Sequence, residues 1–276
     1  MPSWNNEYYK TLKDKFDSIT NGLDDRIEQV IDGRVAPALE DITIGSGRKM
    51  RAATLFFDIR GFSNRTSSAD LHSLKKTLVM LDCVIPMVMQ IVYDNEGYIE
   101  KNTGDGIMAL IGVELDDKTA ANNALNTATT IFYVLKNLVN PYLATQNIDP
   151  VNARIGIDLG TILIARVGLP SGTAKQQRNF LTAVGPSANL SCKIQQQAGT
   201  NEIWTGDLIY QNAEEWRKKY FKDKTPANWT WSYANMSAPP KLVHIKSRQK
   251  SLILTSVKNE KEQIHINANC EHSQRV

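Results

Sequence analysis

Two acidic residues, each with glycine close by, carry the strongest chemical signal in this chain. Asp58 lies in the run Phe56-Phe57-Asp58-Ile59-Arg60-Gly61-Phe62, and Asp105 in Lys101-Asn102-Thr103-Gly104-Asp105-Gly106. Aromatic and β-branched residues lead into Asp58, so the first run reads as a strand that ends in a carboxylate and a glycine. Asp105-Gly106 lies between two apolar runs and reads as the tip of a hairpin. Two aspartates at the ends of neighbouring strands are suitable ligands for a pair of divalent cations. Hard ions such as Mg²⁺ prefer oxygen, keep several waters, and take one or two carboxylates plus substrate phosphates. The main-chain amides of Arg60, Gly61 and Phe62 precede or open a helix, a natural place for triphosphate oxygens. Gly61 lets the backbone approach a ligand closely. The residues therefore point to metal-dependent chemistry on a nucleotide phosphate.

The elements that would position these residues alternate between strand and helix patterns. Residues 51–59 read as a buried strand, followed by a long helix to about residue 93 that Ser67 or Ser68 can cap. Residues 98–101 and 107–111 read as the hairpin strands. Residues 119–139 form a second long helix, closed by Asn140-Pro141. Residues 154–159 and 162–167 read as two strands meeting at Gly160-Thr161. A polar loop (168–178), a short strand (180–184) and a helix (187–198) follow. Residues 202–205, 242–245 and 251–257 are further strands. Strand–helix–strand–strand–helix–strand is the order of an α+β, ferredoxin-like βαββαβ core with extra strands.

Ahead of this core, residues 5–35 carry Leu12, Phe16, Ile19, Leu23, Ile27 and Ile31 at helical spacing. This N-terminal helical segment either packs on its own domain or serves as a dimerisation or sensor arm. Three regions follow from the pattern: a helical segment and linker (1–46), a domain of alternating strands and helices (47–257) and a polar C-terminal tail (258–276).

Whole-chain properties narrow the class. With 276 residues the chain is long enough for one large domain or for one domain with appendages. A net charge of +3 argues against a dedicated nucleic-acid binder, which would carry a strong basic stripe. The three cysteines show no ligand-like spacing, so a reduced, cytoplasmic protein is the simplest reading. Residues 1–10 lack the apolar core of a signal peptide. The most apolar segment, 78–93, is interrupted by Asp82, Pro86 and Gln90, and reads as a buried helix rather than a membrane span.

From about residue 51 to 256 the chain resembles the class III nucleotide cyclases, the family of adenylate and guanylate cyclase catalytic domains. The ordered elements are Phe-Phe-Asp-Ile-Arg-Gly-Phe-Ser, Gly-Tyr-Ile-Glu-Lys-Asn-Thr-Gly-Asp-Gly-Ile-Met-Ala, Arg-Ile-Gly-Ile-Asp-Leu-Gly, and Arg178-Asn179-Phe180-Leu181-Thr182-Ala183-Val184-Gly185 with Asn189 beyond it. The resemblance implies ring closure: a ribose 3′-hydroxyl attacks the α-phosphorus of its own triphosphate and pyrophosphate leaves. It also implies two divalent metal ions (Mg²⁺ or Mn²⁺), a nucleoside triphosphate substrate, and a head-to-tail homodimer with composite active sites.

By the same resemblance Asp58, Asp105 and the Ile59 carbonyl match the metal ligands. Lys101 and Thr182 match the base-binding pair, and Asn189 matches the asparagine that orients the ribose. Lys193 stands where the family usually has an arginine that stabilises the pentavalent phosphate. It keeps the charge but loses the planar fork. Arg178 matches a supporting arginine. Lys246 or Arg248 matches a basic residue that binds the outer phosphates, and which of the two corresponds stays open.

Lysine at 101 argues against guanine, because guanylate cyclases usually have glutamate there. The economy of the chain resembles the pyrimidine cyclases of bacterial antiphage (Pycsar) systems, which make cyclic UMP or cyclic CMP, and Phe56 or Phe57 could fill space beside a small base. An adenylate cyclase is the alternative, and a catalytically silent, nucleotide-binding cyclase-like module is a third reading.

Overall fold

The computed structural model describes residues 41–169, 179–229 and 241–245, together with Lys10, Asp14, Thr20, Asp25, Ile31 and Asp32. The chain divides into two compact units. The smaller comprises Met1–Arg51 and Thr161–Gly185, and the larger comprises Ala52–Gly160 and Pro186–Val276.

In the smaller unit a short β1 (Ile31–Asp32) pairs in parallel with the first residues of β2 (Gly47–Ile59). Further along the chain, β5 (Ala153–Gly168) and β6 (Asn179–Val184) form an antiparallel ladder from Leu163↔Val184 to Gly168↔Asn179. Gly47 faces the carbonyl of Ile164 so closely that a Cβ would stand 2.6 Å from it.

The larger unit holds the rest. After β2 come α1 (Phe62–Arg65), α2 (Leu71–Asp94), β3 (Gly97–Asn102), β4 (Gly106–Ile111) and α3 (Asp117–Val134). A π turn (Leu135–Val139) and α4 (Asn140–Thr145) lead to β5. Then come α5 (Pro186–Gln197), β7 (Ile203–Gly206), α6 (Asp207–Asn212), α7 (Glu215–Lys218), β8 (Phe221–Asp223) and β9 (Leu242–Ile245). The strands run in the order β3-β4-β2-β5-β7-β9-β8. Its first four strands, with α2 and α3 as crossovers, are the ferredoxin-like arrangement that the sequence pattern implies.

Period-two alternation explains which residues face which way. Leu55, Phe57 and Ile59 of β2, Ile107, Ala109 and Ile111 of β4, and Ile155, Ile157 and Leu159 of β5 join one core. Against them pack Met80, Val84, Val88 and Val92 of α2 and Ala121, Leu125, Ala128 and Phe132 of α3. Each large side chain so buried contributes about 1.5–3 kcal/mol. Asp58 alternates with Phe57 and Ile59 and so belongs to the opposite face. That face carries α5, whose Leu190 and Ile194 pack with Trp204 and Leu242. The helix sits tightly there: a Cβ on Gly156 would lie 2.3 Å from Gln195 N and 2.5 Å from Ser191 O.

Several boundaries differ from the sequence expectation. β2 starts at Gly47, four residues before the expected strand start at residue 51. α2 is capped by Asp70, whose Oδ1 accepts from Ser73 N at 2.9 Å, and Ser68 hydrogen-bonds Asp70 instead of capping the helix. Pro86 lies inside α2 without ending it. α2 is long and apolar enough to cross a membrane by composition, yet its inner residues fill the core. Asn140-Pro141 does not close the second helix. Pro141 falls in the first turn of α4, where its missing N–H costs nothing. Asn140 instead clamps Val151, accepting from its N at 2.7 Å and donating to its O at 3.0 Å. Gly160-Thr161 makes no turn, because β5 runs straight through. Ile31 lies in a strand rather than a helix. The expected strand at 251–257, the C-terminal tail and most of the helical segment lie outside the described residues.

Candidate functional site

The carboxylates of Asp58 and Asp105 are delivered by two strands bonded to each other. Asp58 is the cross-strand partner of Gly106, and Ile59 N donates to Asp105 O at 3.0 Å. The tip between β3 and β4 is a compact turn. Asn102 Oδ1 accepts from Gly104 N at 2.8 Å, and Thr103 N donates to Gly106 O at 2.9 Å. Gly104 takes φ +97, and a Cβ on Gly106 would meet Phe57 O at 2.8 Å. Glycine at 106 is therefore required for the tip to close on β2.

Electrostatics tie the two acids together. Burial pushes the Asp105 carboxyl above its ordinary range, and the Asp58 carboxylate adds to the effect. The backbone amide of Asp105 and the Arg154 guanidinium pull the other way. Arg154 Nε donates to Asp58 Oδ2 at 2.8 Å, and Arg154 Nη1 reaches the Gln196 carbonyl on α5 at 3.4 Å. This arginine thus links the acid pair to the helix on the same face of the sheet. In the sequence it is the first residue of the run Arg-Ile-Gly-Ile-Asp-Leu-Gly, which by itself assigns it no role. The signal that could have found it is a charged residue at the head of an otherwise apolar strand.

This donor set fits a hard divalent ion. It consists of two mutually repelling carboxylates and, at Ile59, a residue whose side chain is buried in the core, so that only its main-chain carbonyl can serve as a ligand. Among the described residues no group of three His, Cys, Asp or Glu side chains could hold a metal. A cation here would complete its shell with water and substrate oxygens.

Downstream of Asp58 the chain turns at Gly61, φ +72, where a Cβ would meet no atom within 4 Å. Arg65 anchors this turn through Nη1 to Asp149 O (3.2 Å) and Nη2 to Pro150 O (2.7 Å). Of the three amides expected to meet a triphosphate, that of Arg60 is already engaged by Asn152 O at 2.8 Å. The fold uses it to fix the turn, which leaves Gly61 and Phe62 to that role.

Lys101 stands on β3 opposite Met108, which in turn is opposite Phe56 on β2. The three residues form one row across three strands. Phe57, by contrast, points into the helix-side core and is 1% exposed, so of the two phenylalanines only Phe56 lies on the side of Lys101. Asn189 and Lys193 are exposed on α5, one turn apart, while Leu190 and Ile194 are buried beneath them. Thr182 belongs to the smaller unit, on β6 opposite Ala165. Arg178, Lys246 and Arg248 lie outside the described residues.

Comparison with known proteins gives a consistent picture. No family model matches the chain. It is 28% identical over 160 residues to a cytidylate cyclase of Staphylococcus aureus, covering 56% of this chain and 36% of that protein. It is 27% identical over 204 residues to a cytidylate cyclase of Escherichia coli, covering 71% and 43% respectively. The chain thus spans less than half the length of these relatives. Among solved structures, a class III adenylyl cyclase-like ATP-binding protein from Pseudomonas aeruginosa superimposes with a TM-score of 0.62 at 20% identity, over 75% of this chain and 44% of that one.

Proposed function

We propose, from the premise that this chain carries a class III nucleotide cyclase domain, that it converts a nucleoside triphosphate to a 3′,5′-cyclic nucleotide and pyrophosphate. The observation that carries the reading is the acid pair: Asp58 and Asp105 meet at the β2–β4 junction, with Arg154 bonded to the first of them. A silent module would have no need of two carboxylates that raise each other's energy.

In the reaction the 3′-oxygen forms a bond to the α-phosphorus, the bond to the β-phosphate oxygen breaks, and the hydroxyl proton passes to solvent. Two divalent ions held by Asp58, Asp105 and the Ile59 carbonyl would supply Lewis-acid activation of the attacking oxygen and charge neutralisation on the triphosphate. The chain's own residues do the positioning. Lys101 and Thr182 hold the base, and Asn189 orients the ribose. Lys193 offsets charge developing on the α-phosphate oxygens, and the amides of Gly61 and Phe62 receive phosphate oxygens. Lys246 or Arg248 binds the outer phosphates, and Arg178 supports the site.

The active form is a head-to-tail homodimer with two composite sites. In support, the β5–β6 ladder carries a cross-strand pair, Val167 and Phe180, that are 54% and 55% exposed, with Val184 further along the ladder. Such an apolar ladder suits a protein partner better than water. The product is a pyrimidine cyclic nucleotide, cyclic CMP or cyclic UMP, acting as a second messenger in antiphage defence in the cytoplasm. Likeness to two cytidylate cyclases supports this choice, as does Phe56 in the row with Lys101. The likeness to an ATP-binding fold favours adenine as the second reading. Incubating the protein separately with CTP, UTP, ATP and GTP, with Mn²⁺ or Mg²⁺, and separating the products decides among them. Cyclic CMP or cyclic UMP is expected, and no cyclic product from any of the four would overturn the cyclase reading.

A further inference from the structure

Lys101 makes an ion pair with its own sequence neighbour: its Nζ lies 3.1 Å from Glu100 Oε2. On a regular strand this is impossible, because consecutive side chains point to opposite faces. The register explains it. β3 pairs Ile99 with Ala109 and Lys101 with Met108, so Glu100 is the extra residue of a β-bulge. Two residues of β3 stand against one of β4, and both long side chains reach the same side. The bulge has a second effect. Without it Glu100, not Lys101, would be opposite Met108 and in line with Phe56.

The environment of Glu100 is unusual for a charged residue on a hairpin. Its side chain is 4% exposed, whereas that of Lys101 is 44% exposed. Burying a carboxylate is costly unless a charge partner compensates it. The fold has thus placed a buried anion under the ammonium that meets the base in the proposed function. An ammonium alone is a mobile point charge on a flexible stem that donates to any acceptor. Held from below by a carboxylate, it has a fixed position and fewer donor directions to offer, which makes it more selective.

We propose that Glu100 is a positioning residue for nucleobase choice, acting through Lys101 at the β3 bulge. The inference rests on the reading of Lys101 as a base contact. It predicts that loss of the Glu100 charge relaxes discrimination among bases without abolishing triphosphate binding.

The test measures binding of the four 3′-deoxynucleoside triphosphates, which lack the attacking hydroxyl, by calorimetry in the presence of Mn²⁺. The chains compared are wild type, Glu100→Gln, Glu100→Asp, Lys101→Ala and the double variant Glu100→Gln/Lys101→Ala, each first shown by circular dichroism to melt cooperatively. Loss of the ion pair corresponds to about a tenfold fall in the affinity ratio between the preferred base and the next. That fall is expected for Glu100→Gln, with partial recovery in Glu100→Asp. In the Lys101→Ala background the Glu100 change should have no further effect on the ratio, because the proposal has the carboxylate act on the base through the ammonium. An unchanged ratio in folded Glu100→Gln would overturn the proposal, as would additive effects in the double variant. Equal affinity of wild type for all four analogues would also overturn it. If Glu100→Gln fails to fold, Glu100→Asp carries the test: a ratio identical to wild type counts against the proposal and a reduced one supports it. Failure of the cyclase reading is a different result, namely that wild type makes no cyclic product from the natural triphosphates.

Discussion

Arg154 Nε sits 2.8 Å from Asp58 Oδ2, so the guanidinium occupies one oxygen of the carboxylate that the proposed function gives to a cation. Both side chains are partly exposed, at 20% and 28%. An ion pair close to the surface is worth on the order of 1 kcal/mol. In the proposed function an arriving cation displaces this pair and frees Arg154 toward phosphate oxygens.

The first prediction follows. Arg154→Ala should raise the affinity for Mn²⁺ in the absence of nucleotide by about two- to fivefold, the range that a partly exposed ion pair allows. It should at the same time lower turnover. Manganese titration followed by electron paramagnetic resonance measures the first effect, and unchanged affinity would remove Arg154 from competition for Asp58. Asp58→Asn should lower turnover by about a thousandfold or more, corresponding to several kcal/mol of lost charge stabilisation. Its melting temperature should stay near that of the wild type, since Asp58 is not part of the apolar core.

Gly156→Ala tests how α5 is held. The added methyl would collide with main-chain atoms of Ser191 and Gln195, which cannot rotate away. The helix must shift, at a cost of about 1–3 kcal/mol, and Asn189 and Lys193 shift with it. A fall of several degrees in melting temperature together with lost turnover is expected. Gly61→Ala meets no neighbour and should cost only the left-handed backbone penalty, about 1 kcal/mol. If the two variants prove equally stable, the close approach at Gly156 is not what seats the helix.

Lys193→Arg should keep or raise turnover, since a planar fork can hold two phosphate oxygens at once. Lys193→Ala should lower it, with thermal stability unchanged because the side chain is exposed. Complete loss of activity in the arginine variant would show a role that needs a compact ammonium.

Acid stability should report the cap of α2. Hydrogen bonds from Ser68 and Ser73 hold the Asp70 carboxyl far below its ordinary range. A depressed value in the folded state means that the carboxylate stabilises the fold at neutral pH. This contribution is lost as pH falls below the ordinary aspartate range of about 4 and toward the folded-state value. Asp70→Ala should therefore melt below wild type at pH 7, and the gap should narrow at pH 3. A gap that stays constant with pH would mean that the cap works without its charge.

The alternation of Leu55, Phe57 and Ile59 with Asp58, and the Asp-Gly signal at 105–106, made the acid pair and the core order legible in the sequence. Both are local patterns with one physical reading. Less legible were features that depend on what lies across the sheet. Gly160-Thr161 reads in the sequence as the junction of two strands, but β5 is one strand, paired on both sides of it. Ser67 and Ser68 looked like caps, but the helix starts where Asp70 can reach Ser73 N. Arg154 could not be assigned because its partner is 96 residues away, and Glu100 because a bulge leaves no mark in composition.

Asp58 lies on β2 and Asp105 directly before β4, two strands that zip together through the ladder from Ala53↔Ile111 to Asp58↔Gly106. Neither can reach its working place until that ladder is complete, and once it is, both are there. In the proposed function, ion capture thus reports folding: a partially formed sheet would be not a weaker catalyst but none at all.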